Sequence, residues 1–366
     1  MKQVIKPGVL SGNIQIPASK SDSQRAILCA ALAGGTSVVT GVGNSDDEQA
    51  MLDAVQVLGA KVTRVSDSEI HISGISQLSG PLEISAGESG LGLRLLTCVC
   101  AGFDQKVTLN GRGSLPARPM HFFDTILPRF SCRVLSNNGF LPLEVHGPME
   151  GKVLEVDGSL SSQFISGLLL ALPRSKSPSQ LTVLDMKSGP YIQMTLNTLK
   201  QFGIHIENEA NSFKIPGNQT YKAAAYTVEA DWSSASYWLV AAAIGHPVSV
   251  SGLSMRSSQA DKALLDALMR AGCKMTFGEK IQVDGSGLQP FEFDATDCPD
   301  LFPALVVLAA KCKGVSVLKG VHRLAHKESD RGTVLQNEFG KMGVKIELQG
   351  DEMIIQVTSE AARVYK

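Results

Sequence analysis

The 366-residue sequence offers little to a nucleic acid, a membrane or a metal ion. Lys and Arg number 34 against 35 Asp and Glu, a formal net charge of −1, so no cationic field argues for a polyanion or an anionic lipid surface. Aromatic residues make up only 5% of the chain, too few for a base-stacking platform. The seven cysteines (Cys29, Cys98, Cys100, Cys132, Cys273, Cys298 and Cys312) contain no C-x-x-C pair, and the seven histidines are scattered. That usage reads as buried thiols in a reducing compartment, with no zinc site. No segment is long and apolar enough to cross a bilayer, and the start, M-K-Q-V-I-K-P-G, has no apolar leader core. The expectation is a cytoplasmic protein with neither nucleic acid nor membrane as partner.

What the chain does have is ordinary globular composition, 43% hydrophobic, and a length that favours two domains over one. It also repeats itself. An apolar, small-residue helix pattern ends at a Gly-containing turn, a β-branched strand follows, and a second helix pattern leads to another short strand. Clear copies begin at Ala26, Ala235 and Leu301, with weaker ones near Arg94 and Gln163, so starts fall about every 70 residues. The first helix of each copy (A-A-L-A, L-V-A-A-A-I, L-V-V-L-A-A) is apolar on all sides and should be buried. The fold class expected is α/β.

Polar residues collect just before each of these buried helices. The lead-ins are P-A-S-K-S-D-S-Q-R (Pro17 to Arg25), A-G-E-S-G-L-G-L-R (Ala86 to Arg94), D-G-S-L-S-S-Q-F (Asp157 to Phe164), E-A-D-W-S-S-A-S-Y (Glu229 to Tyr237) and D-A-T-D-C-P-D (Asp294 to Asp300). Helix N-termini carry unpaired N–H groups and partial positive charge, so Ser, Gly and Lys there suit phosphates and carboxylates. Simple N-capping explains the fourth lead-in. It does not explain Lys20 with Arg25, and the Ser161-Ser162-Gln163 row shows no evident capping logic. Near the C-terminus a further charged stretch, R-L-A-H-K-E-S-D-R-G, stands between a strand pattern and a helix pattern. Its Lys327, Asp330 and Arg331 have the spacing of one helical face. Asp46 and Asp47 read as a loop and cap, His322 and His326 as lining or surface residues, and Trp232 as packing.

With these motifs the chain resembles the 5-enolpyruvylshikimate-3-phosphate (EPSP) synthase family of enolpyruvyl transferases. K-S-D-S-Q-R is similar to that family's K-S-x-S-N-R. S-S-Q-F, S-G-P-Y-I-Q-M-T, D-W-S-S-A-S-Y and H-K-E-S-D-R follow in the family's order at similar spacing. The resemblance implies a two-domain inside-out α/β barrel built from repeated βαβαββ units. Residues 1–18 plus 229–366 would form a discontinuous first domain, and 19–228 a second domain of three units. Five full units and the start of a sixth are counted, so the sixth is expected to be incomplete. The implied reaction transfers the enolpyruvyl group of phosphoenolpyruvate to the 5-hydroxyl of shikimate 3-phosphate and releases phosphate, in aromatic amino acid biosynthesis. It implies no cofactor, no metal and a monomer.

The resemblance also implies roles. Lys20 contacts phosphoenolpyruvate and can shuttle a proton, while Ser21 and Arg25 hold the carboxylate end of shikimate. Ser161, Ser162 and Ser188 bind the 3-phosphate. Gln163 lies between the substrates, and Tyr191 packs on shikimate. Asp300 binds shikimate hydroxyls and is the base, with Lys327 in the same region. Glu328 is the proton donor to the methylene carbon. Arg331 and Arg118 hold phosphoenolpyruvate, with the Gly90 N–H near its phosphate. Such chemistry needs carboxylates set among several cations.

Two departures stand out. Glu88 replaces an amide of the family's N-A-G-T-x-x-R, where a carboxylate repels the ligand unless paired or turned away. The loop G-S-L-P-A-R-P keeps Arg118 but has lost neighbouring cations. Two other readings stay open: an inactive or truncated member that binds shikimate 3-phosphate without turnover, and the sister transferase acting on UDP-N-acetylglucosamine. The sister family carries a Cys where this chain has Gly113 to Ala117.

Overall fold

The computed structural model describes residues 8–78, 80–325 and 328–357. After β1 (Gly12–Gln15) come α1 (Lys20–Leu32), β2 (Thr36–Thr40), α2 (Asp46–Val57) and the hairpin of β3 (Lys61–Ser66) and β4 (Glu69–Ser73). The same series recurs as β5 (Leu82–Ser85), α3 (Gly90–Ala101), β6 (Lys106–Asn110), α4 (His121–Ile126), β7 (Arg133–Asn137) and β8 (Phe140–His146). It recurs again as β9 (Val153–Asp157), α5 (Ser162–Ala171), β10 (Ser179–Leu184), α6 (Gly189–Gln201), β11 (Glu207–Glu209) and β12 (Ser212–Ile215). β13 (Ala225–Thr227) then precedes α7 (Trp232–Ala243), β14 (Val248–Ser251), α8 (Leu264–Arg270), β15 (Lys274–Thr276) and β16 (Lys280–Asp284). The last copy is β17 (Glu292–Asp294), α9 (Phe302–Ala309), β18 (Gly314–Lys319), α10 (Arg331–Lys341), β19 (Lys345–Gln349) and β20 (Glu352–Val357).

These strands form five four-stranded sheets of one design. In each, a leading strand pairs in parallel with the strand after the first helix, and the closing hairpin adds on antiparallel, as in the order β5-β6-β8-β7. A parallel pair requires a crossover, and a buried helix supplies it. Two leading strands come from far along the chain: β1 pairs with β14, and β13 with β2. The chain accordingly divides into one unit of residues 1–17 and 230–366 and another of residues 18–229.

The apolar first helices are buried, as their composition requires. All twelve residues of α3 are buried, and nine of the ten in α5. α5 lies against α3 and α6, and α1 against α6 and α2. Gly167 permits the closest of these approaches. A Cβ there would stand 2.8 Å from both the Arg94 carbonyl oxygen and Cys98 Sγ. That contact sets the start of α5 beside Arg94 of α3. Deleting a side chain such as Leu95 from this core would cost about 2–5 kcal/mol. Trp232 is fully buried, in keeping with a packing role. All seven cysteines are buried and free, and burial raises the thiol pKa, for Cys100 to about 12.

Candidate active site

In the unit of residues 18–229, polar side chains gather at the first turns of α1, α3, α5 and α6. Lys20 opens α1 and is half exposed; its Nζ pairs with Asp47 Oδ2 at 2.9 Å. Asp47 is thus a partner of the cation as well as a residue of the capped first turn of α2, where Ser45 and Glu48 form a capping box. Arg25, one turn further along α1, is almost wholly buried. Its Nη1 donates to the Ser21 carbonyl at 2.6 Å, its Nε to Thr195 Oγ1 at 2.8 Å and its Nη2 to the Tyr191 carbonyl at 3.4 Å. Burial pulls the guanidinium pKa down, against the pull of nearby Asp22. Arg25 is therefore a strut that fixes Ser21 and Tyr191 relative to each other. Asp22 is also buried, accepting from Tyr226 Oη at 2.5 Å and from the Glu229 N–H at 3.0 Å. Burial pushes its carboxyl pKa up.

A second cluster forms where α3 and α5 begin. Ser89 caps α3 by accepting from the Gly92 N–H at 3.0 Å, and its hydroxyl donates to Gln24 Oε1 at 2.9 Å, tying α3 to α1. Gly90 is held between two guanidinium groups. A Cβ on it would lie 2.6 Å from Arg118 Nη1 and 3.3 Å from Arg94 Nη1, so only glycine fits without displacing Arg118. Arg118, buried, donates from Nη2 to Ser114 Oγ at 3.2 Å. Arg94 donates from Nη1 to Gln163 Oε1 at 2.5 Å and lies 4.9 Å over the Phe164 ring. Glu88, the departure from the family pattern, leans against Gly113, where its carboxylate leaves no room for a side chain and a φ of 62° disfavours one as well.

The serines stand at the starts of α5 and α6. Ser161 is the N-cap of α5 and accepts from the Gln163 N–H at 3.3 Å. The row does have a capping logic, contrary to expectation: its first serine meets an orphan N–H of the first turn. Ser162 is buried behind it. Ser188 is buried and precedes α6 with φ 53° and ψ 46°, a left-handed conformation that costs a non-glycine residue about 1–3 kcal/mol.

In the unit of residues 1–17 and 230–366, one guanidinium joins two carboxylates. Arg331 Nη1 donates to Asp300 Oδ1 at 2.6 Å and its Nη2 to Glu328 Oε2 at 2.7 Å. Burial would lower the Arg331 pKa, but the two carboxylates together raise it. Asp300 lies in a 3₁₀ turn, Pro299–Leu301, does not cap α9, and pairs instead with Arg331. α10 begins at Arg331, capped by Asp330, whose Oδ1 accepts from the Thr333 N–H at 3.2 Å. Glu328 precedes the helix, and of the expected helical face Asp330 and Arg331 stand at its start. Lys327 and His326 lie outside the described residues. Tyr237 on α7 feels the charges of Arg331, Asp300 and Asp261. His322 Nδ1 stands 2.6 Å from Asp351 Oδ1 at the surface.

Sequence reasoning passed over Asp22, Thr195 and Tyr237, and gave Arg94 no role. Arg94 alone had a signal, as the closing residue of E-S-G-L-G-L-R. Among the described residues no group of three or more His, Cys, Asp or Glu could hold a metal ion, and no helix is long and apolar enough to cross a membrane.

Comparison with known proteins adds the following. Residues 4–365 match the family model described as EPSP synthase (3-phosphoshikimate 1-carboxyvinyltransferase). The 3-phosphoshikimate 1-carboxyvinyltransferase of Clostridioides difficile is 36% identical over 370 residues, covering 97% of this chain and 84% of the relative. That of Clostridium beijerinckii is 34% identical over 368 residues, with the same coverage. A solved EPSP synthase from Acinetobacter baumannii superposes with a TM-score of 0.78 at 25% identity, covering 96% of this chain and 83% of that one.

Proposed function

The chain belongs to the EPSP synthase family, and on that premise we propose how its residues divide the work of moving an enolpyruvyl group from phosphoenolpyruvate to shikimate 3-phosphate. The reaction is the family's, and it makes the chain a transferase of the shikimate pathway. In the unit of residues 18–229, Lys20, Arg118 and the Gly90 N–H take the phosphate and carboxylate of phosphoenolpyruvate. Guanidinium forks and helix-terminal N–H groups are suited to such anions. Ser161, Ser162 and Ser188 take the 3-phosphate of the other substrate. A strained Ser188, where glycine would be relaxed, fits a position kept for its hydroxyl. Ser21 and Tyr191 hold the shikimate ring and carboxylate, braced by Arg25, and Gln163 serves both substrates.

In the unit of residues 1–17 and 230–366, Glu328 protonates the methylene carbon, Asp300 takes the proton of the attacking hydroxyl with Lys327 alongside, and Arg331 binds phosphoenolpyruvate. The observation that carries this assignment is the bridge from Arg331 to both Asp300 and Glu328. It groups a base and an acid around one cation, as acid–base chemistry on an anionic substrate demands. We propose further that the chain acts as a cytoplasmic monomer. The test is phosphate release from phosphoenolpyruvate by the purified 366-residue chain. Release that requires shikimate 3-phosphate supports the assignment. Binding of shikimate 3-phosphate by calorimetry without any release would favour a non-catalytic binder.

A further inference from the structure

We propose that Arg94 is a positioning residue that fixes which end of the Gln163 amide is presented to the substrates. The inference rests on the reading of Gln163 as a substrate ligand. Its physical basis is the asymmetry of the two groups. A guanidinium has five N–H donors and no acceptor, whereas a glutamine amide can turn either its oxygen or its nitrogen toward a neighbour. The Arg94 Nη1 contact at 2.5 Å therefore holds only with Oε1 facing the arginine. The amide nitrogen, with its two donors, is the end left for a ligand. Both substrates bring phosphate and carboxylate oxygens, which accept hydrogen bonds. A flipped amide would offer them an oxygen and repel them.

Arg94 is itself built to hold still. It is nine-tenths buried. The Phe164 ring lies under its guanidinium, and Phe164 in turn stacks on Phe122 with centroids 4.4 Å apart. Gly90 leaves room for it on the other side. A stacked, planar guanidinium loses less freedom on making a directed bond than a lysine would. Gln163 is also anchored by its own backbone, whose N–H is capped by Ser161. The Arg94 contact then holds the end of the Gln163 side chain and fixes which way its amide faces.

The test is a double-substitution cycle read by calorimetry, with shikimate 3-phosphate titrated alone and phosphoenolpyruvate in its presence. Arg94→Met keeps packing on the ring but removes every donor. It should weaken phosphoenolpyruvate binding about tenfold, as should Gln163→Ala, the usual scale for a hydrogen bond to a charged group. In the Gln163→Ala background Arg94→Met should cost less than about twofold more, because there is no amide left to orient. Arg94→Lys, also donor-only, should recover part of the loss. The same loss from Arg94→Met in both backgrounds would overturn the positioning role. Gln163→Ala with no effect on either ligand would overturn the reading of the site and this inference with it. Gln163→Glu gives a second check that does not depend on how Arg94→Met folds. It keeps the pair with Arg94 but presents an oxygen, so it should bind phosphoenolpyruvate more weakly than Gln163→Ala. Binding as tight as the unaltered chain would sink the donor-face claim.

Discussion

Arg94 and Arg331 hold comparable places in their units, each close to the start of a helix, yet their surroundings are opposite. Arg94 is buried against an amide oxygen and an aromatic ring, which orient it without bringing a negative charge. Arg331, a quarter exposed, sits between two carboxylates. The first arrangement gives rigid direction and suits the recognition of a fixed anion. The second balances charge locally, so an arriving anion must compete with Asp300 and Glu328 for the same guanidinium. On the proposed roles, rigid readout and adjustable proton chemistry are kept on separate pieces of the chain. The cost of burying a charge explains the division. A deeply buried guanidinium must be tightly held to be tolerated, and a proton donor must remain accessible to its proton.

The largest effect should come from the carboxylate side. Glu328→Gln should lower turnover at least about a hundredfold, the usual scale for a lost general acid. Shikimate 3-phosphate affinity by calorimetry should stay within about twofold. Equal losses of both would remove Glu328 from the donor role and blur the contrast between the two regions.

Gly90→Ala should follow. Its Cβ would press on Arg118 Nη1 at 2.6 Å, and a displaced guanidinium should weaken phosphoenolpyruvate about tenfold, the scale of one hydrogen bond to a charged group. Shikimate 3-phosphate binding should hardly change. If phosphoenolpyruvate binds as before, Arg118 can yield without loss, and the rigidity seen at Arg94 does not extend to its neighbour. Ser162→Ala should act on the other ligand, weakening shikimate 3-phosphate by several-fold, roughly one hydrogen bond, and phosphoenolpyruvate less. The reverse order would show the serine row to be misassigned.

The smallest effect concerns Asp22. Burial raises its carboxyl pKa in the folded chain, so the folded state binds that proton more tightly than the unfolded state. Its contribution is full below the unfolded carboxyl pKa of about 3.9 and is lost as pH rises through the folded value. Asp22→Asn removes the titration. Melting temperatures of the variant and the parent should therefore shift in the variant's favour as pH rises from about 4 to 8. A difference that does not change with pH would mean the Tyr226 and Glu229 hydrogen bonds already offset the burial.

Much of the architecture could be read directly from the sequence, because it rests on local pattern. All-apolar helices such as L-L-L-A must be buried, and hairpins follow from short alternating strands. The caps at Ser45, Ser89 and Asp231 are of residue types strongly favoured at a helix start. What could not be read depends on meetings between distant residues. Nothing local shows that Arg331 reaches Asp300, or that the amide of Gln163 is turned by an arginine 69 positions earlier. The left-handed backbone of Ser188 was equally hidden, because a serine gives no hint of the strain it carries. The family resemblance supplied candidate residues, and the coordinates supplied their neighbours. Arg25 shows this most plainly: the resemblance names it, and its contacts with Ser21, Thr195 and Tyr191 appear only in the fold.

The exchange of leading strands has a consequence for how the protein is made. β1 leaves the ribosome ahead of the whole 18–229 stretch, and its partner β14 follows only after roughly 230 more residues, from Gln15 to Val248. At about 5–20 residues per second that is a wait of tens of seconds. During it the contiguous stretch from Ala18 to Glu229 can complete its own three sheets. Meanwhile β1 must stay unpaired without recruiting a stranger. G-N-I-Q, short and polar at alternate positions, is a sequence that can wait.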